Sequence, residues 1–293
     1  MSSYASPSGR LLDGVLDAAL AAVTSDALDS PGGADGVAAL LARRVRVDAP
    51  RPLLTFYDDA TGERTELSAA TVDNWVAKTS NLLVDTVGIN PGDLVRVDLP
   101  PHWQTAVVLL ASWSAGADVI VGRSGRDADG DPPAAVFLAE DALDAAFPAG
   151  DGTEIVALSM RPMNGRLARP VPGVLDFAAE ILAHGDRFTP PPPPANQRTL
   201  VRLAGSYSRR WELTGRDRIL TTAGYDTPEG LLAGLLSPLD AGASVVVCRN
   251  IDQALVAGRV ASEQVTAICG PIPGSTPQER TPAGARRLRT ASA

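Results

Sequence analysis

The sequence predicts an α/β protein in which parallel βαβ units are repeated twice and the sheets are covered by helices. The chief observation is an internal repeat. "INPGDLVRVDLPPHWQTAVVLLASWSAGADVIVG", residues 89–122, runs through a turn, a strand, a helix, an Ala-Gly-Ala turn and a second strand. "LTGRDRILTTAGYDTPEGLLAGLLSPLDAGASVVVC", residues 213–248, repeats that order, with Asp93 answered by Asp217 and "SAGADVIV" by "DAGASVVV". A strand–helix–strand unit with a right-handed crossover leaves its strands parallel. The second observation is that short apolar runs, "AAVFLAE" and "EIVALSM", stand between the copies as further strands. Together they imply one parallel sheet or two related ones, with helices on both faces.

The elements follow in order. Leu12, Val15, Leu16, Ala19, Leu20 and Val23 lie at helical spacing, so residues 10–24 read as an amphipathic helix. "SPGGADG" then breaks the chain, which makes residues 1–36 an N-terminal helix and flexible linker. A first α/β subdomain is expected over 37–183. It opens with the helix "VAALLARRVRVDA" and the hairpin "LLTFYDDATGERTELS". Helices are expected at "DALDAAF" and "GVLDFAAEIL". A Pro-rich linker fills 184–197, with five consecutive prolines at Pro190–Pro194. The second subdomain, 198–274, ends on the helix "IDQALVAGRVASEQ" and the strand "VTAICGPIP". Residues 275–293, with Arg280, Arg286, Arg287 and Arg289, show no apolar period and read as a disordered basic tail.

Composition narrows the function. A chain of 293 residues with 45% hydrophobic and 20% charged residues can bury a substantial core. A net charge of −8 argues against nucleic acid as a partner, and no apolar run is long enough to span a membrane. Asp13, Asp17 and Asp26 interrupt the first apolar run, which therefore does not read as a secretory signal. Cys248 and Cys269 fall in apolar stretches, as buried thiols do in a reducing cytoplasm, and the chain reads as cytoplasmic. Of 26 Lys and Arg residues only Lys78 is a lysine, so chemistry needing a mobile amine has one candidate. Two histidines and no thiol cluster make a metal site improbable. The acidic pair Asp58 and Asp59 sits at a strand-to-turn junction, where Asp is usually structural. Asp93 and Asp217 recur at the same turn, which favours closing a loop over catalysis.

The segment from "LSAATVDNW" to "GADVIVG" resembles the opening of the AMP-binding, adenylate-forming enzymes, the acyl-CoA synthetases and their kin. That family typically shows a helix, a G-x-x-P-G-D-x-V turn and strand, a helix and a K-A-G-A turn. Here Ser114 stands where that lysine would be. "DRILTTAGYDTPEGLLAGLLSPLDAGASVVV" and "SEQVTAICGPIPG" resemble later stretches of the same family, so the likeness covers roughly residues 37–274. The chain also resembles short stand-alone actinobacterial relatives of unknown activity.

The resemblance assigns the place before "RTLVRLAGSYSRRW" to the family's phosphate loop, which is rich in Ser, Thr and Gly and carries a lysine. Backbone N–H groups converge on phosphate oxygens in such a loop. This chain has "FTPPPPPANQ" there. Proline has no N–H, and a run of it adopts an extended polyproline conformation, so the segment is expected to be a spacer. The family's tyrosine-glycine-x-threonine-glutamate stretch, its ribose-binding aspartate and its lysine-bearing C-terminal domain have no counterpart here. Lys78 matches no functional lysine of the family.

The resemblance, with the rule that ligands sit at strand ends of open parallel sheets, points to "GYDTPEG". Tyr225 is placed to stack on a flat ligand, and Asp226 and Thr227 to hydrogen-bond it. The competing role is capping: Thr227 as N-cap, Pro228 in the first turn and Glu229 at the positive dipole end. His102, in the matching "PPHWQT" of the first repeat, is the one candidate general base, and His184 has less to recommend it.

The expectation is a non-catalytic binding or regulatory module that holds a nucleotide, an acyl group or a protein partner. No catalytic residue, cofactor or metal is assigned, and AMP or ATP enters only through the family resemblance. The alternative is a ligase-type subunit completed in trans by another chain. A third is a structural partner that binds no small molecule, and an exposed sheet edge offers a route to a homodimer.

Overall fold

Two sheets sandwich one layer of helices. The computed structural model describes residues 36–122, 132–143, 152–272 and 285–289. The first half holds α1 (Val37–Asp48), β1 (Pro52–Asp58), β2 (Glu63–Ser68), α2 (Ala69–Asn81), β3 (Leu94–Asp98), α3 (Trp103–Ser114) and β4 (Asp118–Val121). Then come β5 (Ala135–Ala139), β6 (Glu154–Leu158), β7 (Val174–Asp176) and α4 (Phe177–Glu180). The second half holds α5 (Ala195–Arg210), β8 (Arg218–Thr221), α6 (Pro228–Leu231), α7 (Ser237–Ala241) and β9 (Ser244–Arg249). It closes with α8 (Gln253–Ser262), β10 (Ala267–Cys269) and β11 (Arg286–Arg287).

The first sheet runs β4-β3-β5-β6-β7 and the second β11-β10-β8-β9-β1-β2. Every neighbouring pair is parallel except β1 with β2. The main core joins Val95, Val97 and Phe137 of the first sheet to Phe56, Ile219 and Val245 of the second through α1, α2, α3 and α5. Alternate residues of the second sheet, Leu220, Val246 and Cys248, face away and pack on Val256 and Val260 of α8. The central strands thus have apolar residues on both faces, which explains the unbroken hydrophobic runs. Helix α3 is buried at every residue, as a helix held between two sheets must be.

The repeat is real in three dimensions. Asp93 Oδ2 accepts from Asn90 N at 2.7 Å, and Asp217 Oδ2 accepts from Thr214 N at 2.8 Å. The main-chain oxygens of Asp93 and Asp217 accept from Asp118 N and Ser244 N, at 2.9 and 3.1 Å. In the turns before β4 and β9, Gly116 (φ 85°) and Gly242 (φ 75°) take the left-handed conformation that lets a helix reverse into a strand.

The structure corrects several expectations. The boundary at 183/198 does not divide the sheets, because β1 pairs in parallel with β9, Leu54 opposite Val245 through Asp58 opposite Arg249. Leu53, Leu54, Thr55 and Phe56 are all buried, so this strand needs cover on both faces, and the second sheet supplies a neighbour. "GVLDFAAEIL" starts as edge strand β7 and only then turns helical. Part of the expected basic tail is ordered: Arg286 and Arg287 add a parallel strand beside β10. Ala285 and Leu288, both buried, flank it and anchor it, a pattern too short to register as a period. The rest of 275–293, the segment 1–35 and most of "DALDAAF" lie outside the described residues. Among the described residues no helix is long and apolar enough to cross a membrane.

Candidate functional site

In open parallel sheets ligands collect beyond the carboxyl ends of the strands. Here the carboxyl ends of β5 and β6 and those of β1 and β9 border one open cleft of about 720 Å³. Its walls include Glu140 and Asp141 after β5, Ser159 and Arg161 after β6, and Arg249 with Asn250 at the end of β9. Several polar groups are already committed. Glu140 binds Arg161 at 2.6 Å and Ala168 N at 2.5 Å. Asp58 accepts from Asn250 Nδ2 at 2.8 Å and from Ala60 N at 3.0 Å. Ser159 donates to Gly165 O, which occupies its hydroxyl hydrogen. The side chains of Arg249, which ends β9, and of Arg169, after β6, make no hydrogen bond or ion pair among the described residues. The cleft therefore offers free guanidinium donors and no paired nucleophile and base among the described lining residues. Such a site is equipped to bind.

The residues expected to touch ligand sit elsewhere. Tyr225 is 2% exposed and belongs to the main core, so its ring has no open face for stacking. Burial alone pushes its hydroxyl far above the ordinary tyrosine value, and that hydroxyl has no partner. Thr227 is the N-cap of α6: its Oγ accepts from Gly230 N at 3.0 Å and donates to Gly224 O at 2.7 Å. A Cβ on Gly230 would sit 1.9 Å from Gly224 O, so only glycine lets α6 press onto this loop. Asp226 is exposed and abuts the end of β4, where a Cβ on Gly122 would lie 3.1 Å from its own Cβ. The tops of the two repeats therefore pack on each other and leave no pocket at Tyr225.

His102 is fully buried as the N-cap of α3, with Nδ1 accepting from Gln104 N at 3.1 Å. Its ring meets Phe56 edge-on at 4.2 Å, and Nε2 stands 3.9 Å from Glu63 Oε2. Burial lowers its pKa, with Glu63 working in the opposite direction. A buried, neutral imidazole that caps a helix is a structural group. Asp58 and Asp59 are structural too: Asp59 is paired with buried Arg259 at 2.5 Å, which itself lies 4.1 Å from the centroid of the Tyr57 ring. Cys248 and Cys269 are buried, and burial pushes their thiols up to about 11 and about 12. Both are poor nucleophiles. No group of three or more His, Cys, Asp or Glu suited to a metal occurs among the described residues.

The sequence did carry a signal for the cleft. In "SVVVCRN" Arg249 ends β9 and Asn250 follows it, and Arg161 comes a short way beyond β6 after "EIVALSM". Polar residues at the carboxyl end of a buried parallel strand are the signal that marks such a cleft.

The proline run lies at the other end of the first sheet. A Cβ on Gly116, just before β4, would be 3.1 Å from both Pro191 Cγ and Pro91 Cβ, and one on Gly36 would be 2.7 Å from Pro193 Cβ. Pro194 (φ −65°, ψ 163°) has the extended polyproline conformation and supplies the N-cap of α5 without a side-chain bond. The stretch leading into the run is pinned to α2. Lys78 Nζ donates to His184 O at 2.6 Å and pairs with Asp186 at 2.5 Å, while Asn81 Nδ2 donates to Gly185 O and Arg187 O. The single lysine is thus a fastener. Beyond the run, Gln197 Nε2 donates to Trp113 O at 2.8 Å.

No protein-family model matches the chain. Its fold is that of the acyl-CoA synthetases. The Brucella canis acyl-CoA synthetase superposes with a TM-score of 0.66 at 17% identity, over 88% of this chain and 52% of that one. An anthranilate CoA ligase, AuaEII, solved with anthranoyl-AMP, gives 0.63 at 16%, over 83% and 50%. MatB from Rhodopseudomonas palustris gives 0.61 at 18%, over 79% and 48%. The chain spans about half the length of these solved structures. At sequence level it is 41% identical over 238 residues to a TIGR03089 family protein of Mycobacterium tuberculosis (strain ATCC 25618 / H37Rv), covering 78% of this chain and 96% of that protein. With that extent of identity, the chain belongs to the TIGR03089 family.

Proposed function

We propose that this protein uses the acyl-CoA synthetase fold as a non-catalytic binding or regulatory module and does not itself activate acids with ATP. The observation that supports it is the proline run. In chain order it occupies the place the resemblance gives to the phosphate loop, and five successive residues there have no N–H to offer an anion. The run is also at the amino ends of β3 and β4, remote from the cleft at the carboxyl ends. The ligand of the module enters the cleft between the sheets, held by Arg249 and Arg169, and is a nucleotide, an acyl group or a segment of a partner protein. Cytoplasmic residence is part of the same reading, supported by two buried, free cysteines.

The test is ATP–pyrophosphate exchange by the purified chain with a panel of carboxylic acids, alongside calorimetry with AMP, ATP and acyl-CoA. The reading expects background exchange, together with binding heat that falls in Arg249→Ala. Exchange above background overturns it.

One observation favours a second reading, a ligase subunit completed in trans: the solved relatives in the comparison are about twice as long. That reading expects a stable complex with a lysine-bearing chain in pull-downs from the native cell. Recovery of only monomer or homodimer argues against it.

A further inference from the structure

The amino ends of the second sheet's strands carry a feature that the cleft does not explain. A basin of about 380 Å³ opens there between the start of β8, the start of β9, the strand β2 and the residues just after α8. Arg51, Arg64, Arg216 and Arg218 line it, against only Glu66 and Glu263, in a chain whose net charge is −8.

The pairing is uneven. Arg64 and Arg218 are both used: each bonds Glu263 and Glu66, and Arg218 also reaches Thr55 at 2.9 Å. Their two charges cancel those of the two glutamates. Arg51 and Arg216 are left over. Among the described residues the Arg51 side chain donates only to Gly215 O, at 2.5 Å, which holds its guanidinium beside residue 216. The side chain of Arg216 is exposed and makes no hydrogen bond or ion pair among the described residues. Arg218 lines the same basin, and its Nε is buried and without a partner among the described residues. Arg44, 3% exposed, is close enough to feel Arg51: its pKa is lowered by burial and then by the Arg51 charge, with Asp48 working in the opposite direction. Among the described residues neither Arg51 nor Arg216 is paired with a carboxylate, which leaves this side of the basin short of an anion.

From this geometry we infer that the basin is a binding site for a phosphate group, gripped by Arg51 and Arg216 with Arg218 as its floor. Guanidinium groups suit it because their planar donors match two phosphate oxygens at once. The group arrives as free inorganic phosphate or as the head of a small phosphate ester. The site lies at the opposite end of the strands from the cleft, so its occupancy is independent of the function proposed above.

The experiment is calorimetric titration of the full chain with inorganic phosphate and, separately, glycerol 3-phosphate, at fixed ionic strength set with chloride. Saturable binding is expected, with the tighter probe identifying the source. Arg216→Ala, which removes no bond of the fold, weakens it about tenfold, the loss of one charge-assisted contact. Glu66→Gln tightens it, because one opposing charge is gone. Arg210→Ala, exposed and outside the basin, leaves it unchanged and serves as the folding control. Non-saturating heat equal to that of chloride, or wild-type affinity in Arg216→Ala, overturns the assignment.

Discussion

The two repeats share a scaffold and differ at what they hold. Both begin on an aspartate that closes the turn before its strand, and both reverse through a left-handed glycine. In the first repeat the Asp93 side chain bonds, among the described residues, only within its own turn, to Asn90. In the second, Asp217 also accepts from Thr266 at 2.8 Å and pairs with Arg286 at 2.9 Å, tying in the turn before β10 and strand β11. At the opposite ends of the same units, His102 caps α3 from a buried position, and Thr227 caps α6 with Tyr225 buried beside it. The lesson is that repetition marks load on the fold. The positions that recur are spent on turns and caps, and the ligand-ready groups lie at strand ends outside the repeated motif or in its unmatched residues.

Substitutions sharpen that contrast. Gly230→Ala should have the largest effect, because its Cβ would collide with Gly224 O at 1.9 Å. Overpacking of this kind costs about 3 kcal/mol, read as a lowered denaturant midpoint. Asp217→Ala comes next, at about 3 kcal/mol or slightly less, since it breaks turn, strand and ion-pair contacts together. Asp93→Ala should cost only about 1 kcal/mol, one local hydrogen-bonded turn. Equal losses at the two aspartates would contradict the asymmetry. Thr227→Ala should also cost about 1 kcal/mol, the value of an N-cap, and leave ligand binding in the cleft untouched.

The smallest effect is on pH dependence. The folded pKa of His102 is depressed by burial, so its neutral form is favoured in the native state. The associated stability is complete above the unfolded value of about 6.5 and is lost as pH falls towards the folded value. Glu63, Asp58 and Arg249 face the ring and set the size of the loss. The thermal midpoint should therefore drop on acidification below neutrality, and drop less in His102→Asn, where asparagine keeps the cap. An identical pH profile in that variant would remove the buried-imidazole account.

Much of the fold was legible because parallel strands buried on both faces leave unmistakable apolar runs, as in "AVFLA" and "SVVVC". The repeat gave strand order within each unit for the same reason. What stayed hidden was long-range pairing. Nothing local in "LLTF" says that β1 joins β9, almost 200 residues later, since periodicity reports faces and not neighbours. The strand at Arg286–Arg287 was hidden by its shortness, with only Ala285 and Leu288 as anchors. The site was less legible than the fold. Tyr225 and His102 are residue types that ligands favour, but their burial depends on the packing of one repeat's top on the other. Arg249 and Arg169 become visible as a pair only when the two sheets are side by side.

The account rests on the chain between His184 and Gln197 having no amide cradle for a triphosphate. Photolabelling of the full chain with an azido-ATP analogue in the presence of magnesium, followed by peptide mapping, tests it directly. No saturable label is expected in residues 184–197. Label concentrated there, saturating with probe and competed away by ATP, would show phosphates held where the prolines stand and would contradict the claim.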